Sequence, residues 1–156
     1  MDLKKFIRSI PDYPKKGILF RDITTLIKDE KAFEETINQI VERSKKFDFN
    51  KIAAIESRGF VFASAVSYIL KKPFIMLRKK NKLPSDTHSV DFELEYGTAT
   101  IEVHKDSINK NDKVLIIDDL IATGGTAEAA AKLVKISNGN VAAFVFVINL
   151  FDLGGC

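Results

Sequence analysis

Two adjacent carboxylates, Asp118 and Asp119, follow the apolar segment 114–117 and precede a turn of small residues that opens a predicted helix. The turn consists of Ala122, Thr123, Gly124, Gly125 and Thr126. A helix N-terminus offers unpaired N–H groups to a phosphate, and glycines let the backbone approach it. The carboxylates would repel a phosphate, so they suit hydroxyl groups such as those of a ribose. The pattern therefore predicts a ribose 5-phosphate site at the carboxyl end of a strand.

The alternative to a ligand site is a solvated pair of aspartates in an ordinary strand-turn-helix unit. Adjacent carboxylates at the end of a buried strand repel each other and usually serve a ligand, which favours the site. The glycines match neither the dinucleotide-binding pattern G-x-G-x-x-G nor the phosphate-binding loop G-x-x-x-x-G-K-[ST], because no lysine follows Gly125. The turn therefore belongs to neither of these nucleotide-binding motifs.

Apolar segments with strand and helix spacing alternate along the chain and predict a parallel α/β sheet with helices on its faces. Helical spacing covers 30–46, 60–70 and 126–136. Short apolar strands are expected at 51–55, 74–77, 114–117 and 141–150, with an antiparallel hairpin over 90–103. This order places the two aspartates at the carboxyl end of a central strand.

The composition indicates one globular domain of 156 residues, with 46% hydrophobic and 29% charged residues. This hydrophobic content excludes a disordered chain, and the single cysteine, Cys156, excludes a disulfide scaffold. We expect a cytoplasmic protein without a membrane segment, because no apolar run approaches about 20 residues and no signal-peptide core follows the first charges. A net charge of +3 gives no reason to expect nucleic acid as a partner.

Arginines are scarce in this lysine-rich chain, and two of them lie beside predicted strand ends. Arg58 follows the strand at 51–55, and Arg78 begins the basic run 78–82 after the strand at 74–77. The planar guanidinium matches the geometry of phosphate better than the point charge of lysine does. For a single arginine, the alternative to phosphate binding is that its position beside a strand end arises by chance. For the basic run, the alternative is a solvated surface loop.

The stretch 114–126 resembles the phosphoribosyl pyrophosphate (PRPP) motif of the type I phosphoribosyltransferases. Four further segments resemble the adenine-specific branch of that family: PKKGILFRDI at 14–23, ESRGF at 56–60, RKKNKLP at 78–84 and LEYG at 94–97. The resemblance covers about residues 10–150. It implies an α/β fold in which helices flank a central, mostly parallel sheet.

The resemblance also implies a single domain over 1–156 with three parts. These are a small N-terminal hood at about 1–30, a core at about 31–156 and a flexible hairpin lid at about 80–103. The implied reaction belongs to purine salvage and converts adenine and PRPP to AMP and pyrophosphate. Its transition state is oxocarbenium-like, Mg²⁺ is carried by PRPP rather than by protein side chains, and the enzyme is a homodimer.

The resemblance assigns roles to individual residues. Asp118 and Asp119 are expected at the ribose hydroxyls, where they also stabilise the positive charge of the transition state. The turn from Ala122 to Thr126 holds the 5-phosphate. The pyrophosphate contacts are Arg58, Arg78, Lys79 and Lys82, whereas Lys80 has no assigned role. The adenine contacts are Leu19, Phe20 and Arg21 in the hood, with Leu120 on the other face of the ring.

At the hairpin tip, the resemblance makes Glu95 the acid/base at the purine imidazole nitrogen and Tyr96 the residue that closes the lid. A lid excludes water from a reactive cation. The alternative is an exposed turn with a surface glutamate.

The sequence leaves two other functions open. One is an enzyme for another purine base, against which the hood and the segment 95–97 argue. The other is a PRPP-sensing regulator with an added DNA-binding domain, for which about ten residues before the matched region leave no room. Related chains usually continue past a strand such as 141–150, so the sequence leaves open whether the end at Cys156 is natural or a truncation.

Overall fold

The computed structural model describes residues 8–10, 20–22, 24–55, 58–80, 83, 86–94, 97–118 and 125–146. Within these ranges, the strands are β1 (Arg8–Ile10), β2 (Phe20–Asp22), β3 (Lys51–Ile55), β4 (Phe74–Lys79), β5 (Thr87–Leu94), β6 (Gly97–His104), β7 (Lys113–Asp118) and β8 (Asn140–Phe146). The helices are α1 (Thr24–Ile27), α2 (Glu30–Ser44), α3 (Arg58–Leu70) and α4 (Gly125–Ile136).

The main sheet has six strands in the order β5-β6-β4-β3-β7-β8. β4, β3, β7 and β8 run parallel, whereas β5 and β6 form an antiparallel hairpin that adds to β4. This confirms the predicted α/β fold and the predicted hairpin. A separate two-stranded antiparallel sheet, formed by β1 and β2, falls within the predicted hood segment.

Helices cover both faces of the main sheet because its central strands are apolar on both sides. Ile52 of β3 belongs to the core that α2 and α3 cover, whereas the next residue, Ala53, belongs to the core under α4. On β7, Leu115 and Ile116 divide between the two cores in the same way. A continuous apolar strand therefore supplies two hydrophobic layers.

The boundaries of α2 follow from local chemistry. The Asp29 side chain accepts a hydrogen bond from the Ala32 N–H at 2.9 Å and caps the first turn. Ile37, Ile40 and Val41 are buried, at the helical spacing that the sequence shows. The predicted helix at 30–46 is thus confirmed, ending two residues earlier.

The hairpin is anchored at its base. Ile101 and Val103 of β6 are buried in the core under α4, and Val90 and Phe92 of β5 pack against the same core. The sheet therefore curls so that its β5 edge reaches α4. This burial fixes the base of the predicted lid, whose tip at 95–96 lies outside the described residues.

Two expected boundaries at the site were wrong. β4 extends to Lys79, so Arg78 and Lys79 belong to the strand rather than to a following loop. The reason is a non-local pairing, because Arg78 lies opposite Glu102 and Lys79 opposite Ile101 on β6. Asp118 is likewise the last residue of β7 rather than the first residue after it.

The helices of the described ranges lack the combination of length and apolar character that a membrane crossing requires.

Candidate active site

The carboxyl ends of β3, β4 and β7 lie at one edge of the sheet because these strands run parallel. Leu77 pairs with Ile55 on β3, so Arg78 stands one position beyond the last parallel pair. Asp118 ends β7 at the same edge, and Arg58 begins α3 just after β3. The structure therefore brings these two arginines and this aspartate to the strand ends, as the sequence predicted.

Asp118 is a described carboxylate at this edge, and it is only 9% exposed. Its backbone pairs with Phe146 at the end of β8. Removing a carboxylate from water is costly unless polar partners or a ligand compensate for the loss. A buried aspartate at a strand end is thus suited to accept hydrogen bonds from a bound polyol.

The start of α3 lies directly against this carboxylate. A Cβ atom placed on Gly59 would lie 3.1 Å from Oδ1 of Asp118 and 3.1 Å from the carbonyl oxygen of Ile117. Negative charge is favoured beside the first turn of a helix, where the amide dipoles point their positive ends. The first residues of α3, Arg58 and Gly59, therefore lie directly beside the end of β7.

The two cationic residues at the end of β4 lie on opposite faces of the sheet. Phe74 packs edge-on against Phe60 of α3, with the ring centroids 5.6 Å apart, so its face is that of α3. Arg78 shares this face by alternation and is half-buried. Lys79 shares the face of Leu77, which lies in the core under α4, and is exposed. Arg78 therefore lies on the sheet face that α3 covers. It is also at the end of the sheet where α3 begins with Arg58.

Several predicted site residues lie outside the described residues: Leu19, Lys82, Glu95, Tyr96, Asp119, Leu120, Ala122, Thr123 and Gly124. For Phe20, Arg21, Gly125 and Thr126 the structure describes the backbone alone. Phe20 and Arg21 lie in β2, opposite Ile10 and Ser9. α4 begins at Gly125, which confirms that a helix follows the small-residue turn. The contacts expected of all these side chains stay predictions.

Gly59 approaches Asp118 closely, which the sequence did not reveal. It stands in the segment 56–60, but its sequence neighbours give no sign of the approach to Asp118, which is 59 positions away. The available signal was a glycine at a strand-to-helix junction, where a backbone often comes close to another group.

Among the described residues, no group of three or more His, Cys, Asp or Glu could hold a metal ion.

A family model for the phosphoribosyl transferase domain matches residues 23–150. The adenine phosphoribosyltransferase of Pelagibacter ubique (strain HTCC1062) is 84% identical over 155 residues, which cover 99% of this chain and 89% of that protein. The crystal structure of adenine phosphoribosyltransferase from Thermoanaerobacter pseudethanolicus ATCC 33223 is 47% identical with a TM-score of 0.89, covering 92% of this chain and 84% of that one.

The adenine phosphoribosyltransferase of Saccharomyces cerevisiae was solved in complex with D-2,5-dideoxy-2,5-imino-altritol 1,6-bisphosphate and adenine. It is 33% identical with a TM-score of 0.85, covering 92% of this chain and 84% of that one. Similarity in sequence and in fold thus extends along nearly the whole chain. By this identity and coverage, the chain belongs to the adenine phosphoribosyltransferase family of type I phosphoribosyltransferases.

Proposed function

We propose that the chain transfers a phosphoribosyl group from PRPP to adenine, giving AMP and pyrophosphate in purine salvage. A bond forms between an imidazole nitrogen of adenine and the anomeric carbon, while the bond from that carbon to the pyrophosphate oxygen breaks. The electron pair of the broken bond leaves with pyrophosphate, and the imidazole nitrogen loses its proton. The observation that carries this proposal is a buried Asp118 at the sheet edge to which Arg58 and Arg78 also belong.

The charges of these three residues fit the two ends of the reaction. Guanidinium groups bind phosphate oxygens in two-pronged geometry, so Arg58 and Arg78 suit the departing pyrophosphate. The ribose becomes positively charged as the bond to pyrophosphate breaks. A fixed carboxylate at Asp118 stabilises that charge more effectively in a water-poor site than in water. Asp118 therefore serves both the ribose hydroxyls and the transition state.

We propose Mg²⁺ as the cofactor, bound mainly through the diphosphate of PRPP. Magnesium keeps several waters and typically binds substrate phosphates with one or two protein carboxylates. The described residues fit this mode because they offer the Asp118 carboxylate at the edge of the sheet. When bound, the ion would neutralise charge on the leaving diphosphate.

Selection of adenine is assigned to Leu19, Phe20, Arg21 and Leu120, and proton transfer to Glu95. The Saccharomyces cerevisiae relative solved with adenine supports adenine as the base. The test is AMP formation from PRPP and adenine, with and without Mg²⁺, beside hypoxanthine and guanine. Turnover of hypoxanthine or guanine in place of adenine would overturn the choice of base. An enzyme is expected to release adenine from AMP in the presence of pyrophosphate, whereas a PRPP-sensing regulator is not.

We also propose a homodimer that forms through the outer face of α3. After Arg58, this helix carries no charged residue. Val61, Tyr68 and Ile69 are exposed at one-face spacing, with Tyr68 85% exposed, and Met76 of β4 is exposed on the same side of the sheet. A face without charge suits a second copy of itself, because a two-fold interface places identical patches together.

Sedimentation of the purified chain tests the dimer. Tyr68→Lys introduces two charges into a two-fold interface and is expected to give monomers, whereas Ile136→Lys on α4 is a matched control outside that face. A monomeric native chain, or an unchanged dimer in Tyr68→Lys, would exclude this interface.

A cytoplasmic location is proposed from composition, since the lone Cys156 allows no disulfide within the chain.

A further inference from the structure

Gly59 occupies a helical position that does not need glycine for its backbone conformation. Its φ lies outside the left-handed region, which among the described glycines only Gly97 adopts. Within a helix, glycine is less favourable than alanine because it loses more conformational entropy on folding. Local preference at the start of α3 therefore favours a larger residue at 59.

The space around Gly59 explains why a larger residue would be unfavourable. A methyl group there would lie 3.1 Å from Oδ1 of Asp118, 3.1 Å from the Ile117 carbonyl oxygen and 3.4 Å from Cβ of Ala54. The first two distances are shorter than ordinary contacts with carbon, whereas the third is ordinary packing. Ala54 is fully buried beneath the helix, so the methyl could not retreat towards β3.

We propose that Gly59 is a positioning residue for phosphoribosyl transfer, whose missing side chain leaves the space that the Asp118 carboxylate occupies. This inference rests on the role proposed above for Asp118 at the ribose. It assigns Gly59 an action on the reaction through Asp118 rather than through contact with a substrate.

An alanine at this position would act chiefly on the carboxylate. The Ile117 carbonyl is held in β7, which pairs with β3 on one side and β8 on the other. The Asp118 carboxylate is carried on side-chain bonds rather than within the backbone ladder, so we expect it to shift more readily than the Ile117 carbonyl. A misplacement of about 1 Å at a reacting centre can cost about 100-fold in rate, so we expect even a smaller displacement of this charge to lower turnover.

The experiment is a double-mutant cycle with Gly59→Ala, Asp118→Asn and both together, measuring kcat and the KM for PRPP. Gly59→Ala is expected to lower kcat about ten-fold or more while changing the KM less than about three-fold, because the lost contact matters most in the transition state. In the Asp118→Asn background, the same alanine is expected to change kcat less than about three-fold, since the two residues act as one unit.

Gly139→Ala is the matched control at the opposite end of the sheet. Its Cβ would lie 2.8 Å from Cγ2 of Ile108, a tighter clash than any at Gly59. This control is expected to lower the temperature of unfolding while leaving kcat within about two-fold, because it lies far from the strand ends that carry the site. A loss of stability and a loss of catalysis are thereby separated.

Three results from the glycine variants would overturn the proposal: a kcat for Gly59→Ala within about two-fold of the native value, an equal loss of kcat with and without Asp118, or an equal loss of kcat in Gly139→Ala. If Asp118→Asn itself retains full turnover, the role of Asp118 fails, and this inference fails with it. Failure of the cycle alone leaves the role of Asp118 intact. If Gly59→Ala does not fold, Ala54→Gly/Gly59→Ala takes its place, because it opens space beneath the new methyl group.

Discussion

Lys51 and Asp112 form an ion pair at the amino end of the sheet, with Nζ 2.6 Å from Oδ2 and both side chains largely buried. The same carboxylate accepts hydrogen bonds from the Asn50 side chain at 2.9 Å and from the Asn109 N–H at 2.7 Å. This cluster joins the start of β3 to the turn before β7. Opposite ends of the sheet thus carry two buried aspartates, with Asp112 in a structural network and Asp118 at the site.

Replacing Asp112 by asparagine is expected to lower the free energy of unfolding by about 3 kcal/mol, because it leaves Lys51 buried without its counter-charge. Urea unfolding measures this loss, and kcat should stay near the native value because the site lies at the other end of the sheet. The control is Lys113→Gln, which breaks the exposed pair with Asp48 and should change stability little. Equal losses in the two variants would contradict this interpretation.

Acid should weaken the fold through the same aspartate. Burial acts to raise the pKa of Asp112, but hydrogen bonds from Lys51, the Asn109 amide and Asn50 outweigh it and hold the pKa below its ordinary value. The resulting stabilisation is fully present above the unfolded-state pKa of about 3.9 and is lost as the pH falls through the lower folded-state value.

Urea unfolding between about pH 6 and pH 2 tests this acid dependence. The native chain should lose stability steeply below about pH 4, and Asp112→Asn should lack that part of the slope. A native slope that persists unchanged in Asp112→Asn would assign the acid sensitivity to other carboxylates.

Local sequence patterns predicted β3, β7, α2 and the start of α4 closely, since each has a clear apolar period or turn signal. They did not predict the extension of β4 through Arg78 and Lys79, because that extension depends on pairing with β6. The approach of Gly59 to Asp118 also escaped prediction. Both features are contacts between residues distant in sequence, which no local pattern encodes.

Removing the guanidinium at Arg78 is expected to weaken PRPP binding. Arg78 is half-buried on the α3 face at the sheet edge, so Arg78→Gln should raise the KM for PRPP about ten-fold or more. Lys80, also in the basic run but exposed and without an assigned role, is the control, and Lys80→Gln should change the KM less than about two-fold. Steady-state kinetics at saturating adenine measures the KM for PRPP in both variants. Similar effects in the two variants would indicate that the basic run acts only through its net positive charge and not through a specific contact of Arg78.

Replacing Glu95 by glutamine is expected to separate proton transfer from substrate binding. The amide keeps the size of the carboxylate but cannot accept the proton that adenine loses, so kcat should fall about 100-fold or more. The KM for PRPP should change far less, because the proposed partner of Glu95 is the purine. Glu93→Gln is the matched control, since Glu93 is exposed in β5 two residues before the tip. Turnover of Glu95→Gln equal to that of Glu93→Gln would leave the tip glutamate as an ordinary surface residue and require another base for the reaction.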